Sequence, residues 1–275
     1  MLVVVLVGLS MSSCGGDDLV IGVSTSLRDT GLLDELVDEF KRQRPGPAAT
    51  VKPVATGSGQ LIELARRGEI DILITHFPEA EAELIADGDG IDRRRLMHNF
   101  FVLVGPPDDP VGVRAAASLP AALRLIAGAE ATFVSRGDNS GTHFRELALW
   151  RQAGIDPVGE SWYQESGAGQ GQSLLVASDK GAYTVVDSGT FVVFEERLEL
   201  EPYVSDEEPN QYSIIRVNPD RHDVNGAAAL AFAEFLTSPA AQRIIAEFGR
   251  EEYGEPLFVP AGPVSDMTSV PVSIP

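Results

Sequence analysis

The sequence predicts an α/β protein of two lobes, each a mostly parallel sheet flanked by helices, joined by a two-strand hinge. Short apolar runs alternate with segments whose apolar residues repeat at helical spacing, and such alternation builds parallel sheets. A proline-rich break directly follows the predicted strand at residues 99–105, and a strand at 212–217 returns the chain to its first half. Two linking strands are the connectivity that a hinge between lobes requires.

The first lobe begins with three strand–helix units. Strands are predicted at residues 18–23, 49–54 and 71–75, and helices at 32–42, 61–67 and 79–85. These strands end beside Ser24, Thr56 and Thr75, respectively. Ligands of open parallel sheets bind outside the carboxyl ends of the strands, so we expect these hydroxyl turns to lie together at a binding site.

The second half repeats this plan. Helices are predicted at residues 119–127, 144–150 and 173–179, strands at 131–135, 162–165 and 181–185, and polar turns at 167–171 and 187–190. Helices at 226–236 and 240–248 follow the returning strand and are expected on the first lobe. The predicted division is 1–14 signal segment, 15–18 tether, 19–101 with 211–275 lobe I, and 102–210 lobe II.

Residues 135–143 form the most informative motif, because polar side chains and two glycines fill a turn between an apolar strand and an amphipathic helix. A helix N-terminus offers free N–H groups and the positive end of the helix dipole. Together with the hydroxyls of Ser140 and Thr142 and the guanidinium of Arg136, it predicts an anion site. The alternative is a purely structural cluster of helix-capping residues.

Composition excludes several functions. The chain has 275 residues and a formal net charge of -20, with 41 acidic and 21 basic side chains. Nucleic acids require basic faces, so they are excluded as partners. Cys14 is the single cysteine, which leaves no disulfide, thiol redox pair or cysteine zinc site. An anion ligand must therefore be held by local donors, and no cofactor is predicted.

The N-terminus has the pattern of an export signal. Residues 1–9 are almost continuously aliphatic and too short to span a bilayer, and small residues then precede Cys14. This arrangement is similar to a bacterial lipoprotein cleavage site, although no basic residue precedes the apolar run. We expect lipidation of Cys14 and an exported, membrane-anchored protein. The alternative is a buried strand with an incidental cysteine.

The motifs resemble those of the tungstate-binding family of ABC-importer receptors. Residues 135–143 resemble the family signature Ser-Arg-Gly-Asp-Asp-Ser-Gly-Thr-His and depart from it at Asn139. Residues 24–26 stand at a Thr-Thr-Thr-Ser run of the family, with Val23 in place of its first threonine. Residues 162–163 and 167–171 resemble its Trp-Tyr and glycine-rich segment. Ser188 stands where the family has arginine, in a stretch that ends at Thr190.

The resemblance implies the type II periplasmic-binding fold and a non-enzymatic receptor. Such a protein captures tungstate, or molybdate, in a cleft and delivers it to a permease with an ATPase subunit. A monomer is expected, and metal enters only as the oxyanion. A tetrahedral dianion needs donors such as hydroxyls and guanidinium groups. The predicted ligand residues are Thr25, Ser26, Thr56, Ser58, Arg136, Ser140, Thr142 and Thr190.

Two other functions remain open from the residues. A phosphate or sulfate receptor would also use such turns, and hydrogen phosphate would need an acceptor such as Asp138 in the cleft. A Ser/His hydrolase would need a serine bonded to His143 or His76. His76 also fits a structural role at its strand end, and the acidic residues at 195–196 and 206–208 are expected on a solvated face.

Overall fold

The computed structural model describes residues 18–44 and 50–262. The predicted signal segment, Cys14 and most of the tether lie outside the described residues. Within the described part of the chain, no helix is long and apolar enough to cross a membrane.

Lobe I contains three parallel strands and the helices that follow them. The side chains of β1 and β3 are apolar and largely buried, and the helices cover them. The elements are β1 (Leu19–Ser24), α1 (Thr25–Thr30), α2 (Leu32–Gln43), β2 (Val51–Thr56), α3 (Ser58–Arg66), β3 (Ile72–Thr75) and α4 (Pro78–Ala86). The sequence predicted a turn at residues 24–26, but Thr25 and Ser26 lie in helix α1. Ser24 caps this helix by accepting the N–H of Leu27.

Two long antiparallel strands connect the lobes. They are β4 (Gly90–Gly105) and β8 (Glu201–Val217), both longer than the sequence predicted. Between them lie helices and strands of lobe II, in the order α5 (Leu119–Gly128), β5 (Phe133–Ser135), α6 (Gly141–Ala153), β6 (Tyr163–Glu165), α7 (Gln170–Asp179), β7 (Thr184–Asp187) and α8 (Ser188–Phe194). The large sheet has the order β2-β1-β3-β8-β4-β7, and β5 pairs with β6 separately.

The chain ends on the first lobe. The last elements are α9 (Gly226–Leu236), α10 (Pro239–Glu247), α11 (Arg250–Tyr253) and β9 (Val259–Pro260). Strand β9 pairs with β4, and Leu257 and Phe258 are buried in the same apolar cluster as Phe40 and Phe232. A second cluster around Leu61 and the other face of the sheet completes this lobe. Lobe II has its own core, which includes Trp150 and Phe133.

The acidic run at residues 206–208 lies at an irregularity of the hinge strands. Phe100 pairs with Pro209 and Val102 with Ser205, so three residues of β8 oppose one of β4. The solvated face predicted for this run is wrong for Asp206, which is buried. Its carboxylate accepts two hydrogen bonds from Arg145 of α6, at 2.6 and 2.8 Å.

Candidate functional site

The candidate site lies between the lobes, where the first turns of helices from both sides meet. Helix α3 begins at Ser58 directly after β2, and helices α6 and α7 begin at Gly141 and Gln170 in lobe II. The first N–H groups of a helix have no partner within the helix, and the positive end of the helix dipole lies there. An arrangement of several such termini around one point favours a negatively charged ligand.

Two glycines let the lobes approach closely. The N–H of Gly59 donates to the carbonyl oxygen of Asn139 across the cleft at 3.2 Å. A Cβ atom at Gly59 would lie 2.6 Å from that oxygen, and a Cβ atom at Gly141 would lie 2.6 Å from the carbonyl oxygen of His76. No larger residue fits at these positions without a shift of the backbone, so the structure represents a closed cleft.

Arg136 lies at the centre of this contact and is 2% exposed. Its Nη1 donates to Oε1 of Gln170 at 3.2 Å, and its Nη2 donates to Oγ1 of Thr25 in lobe I, also at 3.2 Å. The same Nη2 is paired with the carboxylate of Asp138. That carboxylate also accepts the backbone N–H of Ser140 at 3.2 Å. The arginine therefore links both lobes, and Asp138 serves both the loop and the guanidinium.

Several buried polar atoms of the strand ends and helix starts at this contact, with Nε of Arg136 among them, have no hydrogen-bond partner among the described residues. Five of them can donate a hydrogen bond to an anion, and the sixth is a histidine ring nitrogen. They are Ser58 Oγ, Thr75 Oγ1, Thr142 Oγ1, Arg136 Nε, Gln170 Nε2 and His76 Nε2. A buried donor without a partner costs about 1–3 kcal/mol, so such a cluster points to a ligand that accepts hydrogen bonds.

The structure brings most of the predicted ligand residues to this contact. Ser26 is buried, with its hydroxyl 3.0 Å from that of Ser24 and 3.2 Å from that of Tyr212. Ser140 caps α6 by accepting the N–H of His143 at 3.3 Å, and its hydroxyl hydrogen stays available. Thr56 lies half-buried at the end of β2, opposite Ser24 in the pairing of the strands.

Thr190 differs from the other predicted ligand residues. Its hydroxyl donates to Asp187 at 2.7 Å, and its N–H donates to the same carboxylate at 3.0 Å. Thr190 therefore belongs to the cap of α8, and a contact with ligand remains a prediction that requires release of this hydroxyl. The predicted lipidation site, Cys14, lies outside the described residues.

Thr75, His76 and Gln170 were not among the residues predicted to bind ligand. Thr75 and His76 end β3 at the same edge as the other hydroxyl turns, and Gln170 starts a helix within the glycine-rich turn. The only sequence signal for all three was therefore their place at a predicted strand end or in the glycine-rich turn. Their unpartnered atoms are a property of the folded structure alone.

A chain of hydrogen bonds connects His76 to lobe II. Nδ1 of His76 is 2.9 Å from Oδ1 of Asn210, the amide of Asn210 donates to Asn99 at 2.7 Å, and Asn99 donates to Asp187 at 3.0 Å. Asn99 and Asn210 are paired residues of the two hinge strands. Burial and, to a smaller extent, the charge of Arg136 lower the pKa of His76 to about 4, while Asn210 and Asp138 oppose the shift. The ring is therefore neutral at neutral pH.

The loop that carries Arg136 is supported from beneath by Glu146. This buried carboxyl group accepts hydrogen bonds from Ser135 at 2.7 Å, Tyr163 at 2.7 Å and Trp150 at 3.1 Å. Burial raises the pKa of Glu146 to about 7, and these donors oppose the shift. Glu146 thus fixes the strand that ends at Ser135 and the start of the loop.

The geometry does not form a hydrolase site in the described part of the chain. The ring of His143 accepts the N–H of Asn139, and His76 bonds Asn210, so neither ring bonds a serine hydroxyl. Across residues 18–44 and 50–262, no cluster of three His, Cys, Asp or Glu side chains is placed to hold a metal ion. The site consists mainly of neutral donors and one guanidinium.

Comparisons with known proteins identify the family of this chain. A family model described as a PBP superfamily domain matches residues 11–240. The tungstate-binding protein TupA of Peptoclostridium acidaminophilum is 41% identical over 249 residues, which cover 88% of this chain and 85% of that protein. The TupA protein of Campylobacter jejuni is 33% identical, over 85% of this chain and 87% of its own length.

Solved structures give the same result. The tungstate ABC transporter structure from Geobacter sulfurreducens has a TM-score of 0.76 and 37% identity, covering 84% of this chain and 98% of that one. Tungstate-binding TupA from Desulfovibrio alaskensis has a TM-score of 0.73 and 38% identity, covering 89% and 99%. The relatives are solute-binding proteins and not enzymes. This chain therefore belongs to the periplasmic-binding-protein superfamily and, within it, to the family of tungstate-binding proteins of ABC importers.

Proposed function

We propose that this protein is the extracytoplasmic receptor of an ABC importer and captures tungstate, or the similar anion molybdate, between its lobes. The observation that carries the proposal is the set of five buried donors, Nε of Arg136 among them, that have no partner among the described residues at the contact between the lobes. A tetrahedral dianion offers four acceptor oxygens, which match such donors better than any cation or apolar ligand would. The similarity to tungstate-binding proteins suggests the identity of the anion.

The proposed ligand residues come from both lobes. Arg136 supplies the charge, and charge-assisted hydrogen bonds are roughly twice as strong as neutral ones. Neutral donors supply direction: Thr25, Ser26, Ser58 and Thr75 from lobe I, and Ser140, Thr142 and Gln170 from lobe II. Thr56 and Thr190 are proposed as outer residues, because Thr56 is half-buried and the hydroxyl of Thr190 is donated to Asp187.

Closure of the lobes is proposed to couple binding to transport. We place lobe I at residues 19–101 and 211–275 and lobe II at 102–210, so that β4 and β8 both cross between the lobes. The hydrogen bond between Gly59 and Asn139 joins the two lobes, and we expect it to break when the cleft opens. A ligand that binds donors from both lobes favours the closed state, which the permease would recognise.

Anchoring at the membrane is a separate part of the proposal. We propose that Cys14 carries the lipid, that residues 15–18 form a tether, and that the protein works as a monomer outside the membrane. A Cys14→Ser variant should appear in the soluble fraction of the producing cell, whereas the parent should sediment with membranes. Equal membrane association of both proteins would contradict lipidation at Cys14.

Thermal melting with four anions tests the function. Tungstate, molybdate, sulfate and phosphate are added separately, and a ligand at 100 times its Kd should stabilise the protein by about 2.7 kcal/mol. We expect the largest shifts of Tm with tungstate and molybdate and a much smaller shift in an Arg136→Ala variant. A larger shift with phosphate or sulfate would indicate a receptor for that anion. The absence of a shift with all four would overturn the proposal.

A further inference from the structure

The hydrogen-bond chain from Asp187 through Asn99 and Asn210 to His76 has a fixed direction. Oδ1 of Asp187 receives the amide N–H of Asn99 and the backbone N–H of Thr190. Neither of these groups can accept a hydrogen bond at its nitrogen, so Oδ1 is an acceptor whether or not the carboxyl group is protonated. The hydrogen-bond chain therefore starts at an oxygen that can only accept, and this fixes the direction of every later hydrogen bond in it.

That direction determines which ring nitrogen of His76 carries hydrogen. Because Asn99 donates its amide to Asp187, its oxygen faces Asn210 and accepts from the amide of that residue at 2.7 Å. The oxygen of Asn210 then faces Nδ1 of His76 at 2.9 Å, so Nδ1 carries the hydrogen. Nε2 is left as a bare acceptor in the neutral ring.

Nε2 of His76 is buried and has no partner among the described residues. The ring stacks on Tyr212 at 4.8 Å between centroids, and its edge formed by Nδ1 and Cε1 meets the start of α6 at Gly141. Tyr212 in turn contacts Ser26, and the charges of Arg136 and Asp138 act on the ring. An acceptor without a hydrogen therefore lies beside a set of donors, next to the proposed position of an anion.

We propose that Nε2 of His76 belongs to the oxyanion site and takes up one proton as the anion binds, so that the protein captures one oxyanion together with one proton. This inference rests on the proposed function. The proton comes from bulk water or arrives on a hydrogen-oxyanion, and it lies between Nε2 and a ligand oxygen. Nδ1 keeps its hydrogen bond to Asn210, the ring becomes an imidazolium, and no bond within the ligand breaks.

The expected pH dependence follows from the two states of the ring. In the free protein the ring of His76 has a pKa of about 4. In the complex, the two negative charges of the bound anion lie beside the ring and raise this pKa. The proton is therefore taken up between these two pKa values. The affinity should fall as pH rises through this interval, by at most about tenfold per pH unit, and should level off above the pKa of the complex.

Other charged groups surround the ring, and protons that they bind must be distinguished from a proton bound by His76. Glu146 is important among them, since its pKa of about 7 allows it to bind a proton in the same range. Substitution of His76 itself distinguishes these sources. The groups near the ring, around the adjoining cavity or along the hydrogen-bond chain are Glu79, Arg136, Asp138, Arg145, Glu146, Arg151, Asp187, Glu208 and Tyr212.

Calorimetry with tungstate at about pH 6, in two buffers of different ionisation enthalpy, measures the proton uptake. We expect the parent to take up close to one proton per anion and His76→Gln to take up far less. The matched control is His98→Gln on β4, a half-buried histidine outside the cleft, which should behave as the parent. Equal uptake in the parent and His76→Gln would overturn the inference.

Ring-nitrogen NMR of the parent gives an answer that does not depend on a variant. Free His76 should show the tautomer with hydrogen on Nδ1, and the complex should show both nitrogens protonated. A complex in which Nε2 has no hydrogen would overturn the inference. Failure of the parent to bind tungstate would overturn the proposed function instead, so the two failures are distinguishable.

Discussion

Arg136 and Arg145 are nine positions apart on the same segment of lobe II, yet their guanidinium groups have different surroundings. All three nitrogens of Arg145 donate to carboxylates: Nε and Nη2 to Asp206 at 2.6 and 2.8 Å, and Nη1 to Glu208 at 2.9 Å. Arg136 is more deeply buried but has a single carboxylate partner, Asp138, and its Nε has no partner among the described residues.

This difference separates a structural arginine from a binding arginine. The charge of Arg145 is neutralised within the chain, and its bonds hold helix α6 to the irregular part of β8. Arg136 instead keeps donor capacity within a cluster of other buried donors, where an external anion can complete its bonds. The unsatisfied N–H group, rather than burial or charge alone, distinguishes the two roles.

Replacing Arg136 is expected to have the largest effect on affinity. Arg136→Ala removes the charge and the Nε–H donor from the site, and we expect the Kd for tungstate to rise by about two orders of magnitude, or about 3 kcal/mol. Arg136→Lys keeps a charge without the planar fork and should give an intermediate loss. Isothermal titration calorimetry measures both variants.

The control for this prediction is the other arginine. Arg145→Ala should bind tungstate with an affinity within a fewfold of the parent, because its guanidinium is used within lobe II. A loss of affinity in Arg145→Ala as large as that in Arg136→Ala would remove the distinction between the two residues.

The free energy of unfolding should respond in the opposite order, with a larger loss in Arg145→Ala than in Arg136→Ala. Arg145→Ala leaves the buried carboxylate of Asp206 without its partner, and we expect the free energy of unfolding to fall by about 2 kcal/mol. This is below the usual cost of a fully buried pair, because Arg145 is 17% exposed and water reaches it. Urea denaturation measures the change. Glu208→Gln is the matched control: Glu208 is 70% exposed, so its loss should cost only a few tenths of a kcal/mol.

Local patterns predicted the parts of the fold that local physics determines. The apolar runs of β1 and β3 and the helical spacing of α2, α5 and α9 each lie within a short segment. Strand β4 was predicted too short because its first half contains Arg93, Arg94 and Arg95, which hide the alternation of a strand. Its pairing with β8 joins residues that lie between 96 and 127 positions apart in the sequence.

The site was predictable to the same degree. Hydroxyl turns at strand ends and the motif around Arg136 are local signals, so their residues were identified. The hydrogen bond between Asn99 and Asn210 joins residues 111 positions apart, and that between His76 and Asn210 spans 134 positions. No spacing rule connects such residues. The burial of Asp206 likewise depends on a helix from another part of the lobe.

Two threonines extend the comparison to neutral donors. Thr142 Oγ1 is buried without a partner, whereas Thr190 Oγ1 donates to Asp187 at 2.7 Å. Thr142→Val should weaken tungstate binding about tenfold, near 1.4 kcal/mol, with little change in Tm. Thr190→Val should lower the free energy of unfolding by about 1 kcal/mol and change the affinity less. The opposite order would assign the free donor to Thr190 instead.

The smallest effect is expected from the carboxylate that Arg136 already holds. Asp138→Asn removes a negative charge that competes with the ligand for the guanidinium, and its amide oxygen can still accept the N–H of Ser140. We expect tungstate affinity to rise by only a fewfold, since the side chain of Asp138 is 16% exposed, so water and salt reach this side of the ion pair and screen it. Calorimetry at low and at high salt should show a gain in affinity that shrinks with salt.

If Asp138 instead accepted a proton from the ligand, Asp138→Asn would weaken binding, and hydrogen phosphate would become the better candidate. The sign of this one change therefore separates a carboxylate that the anion displaces from one that the anion uses.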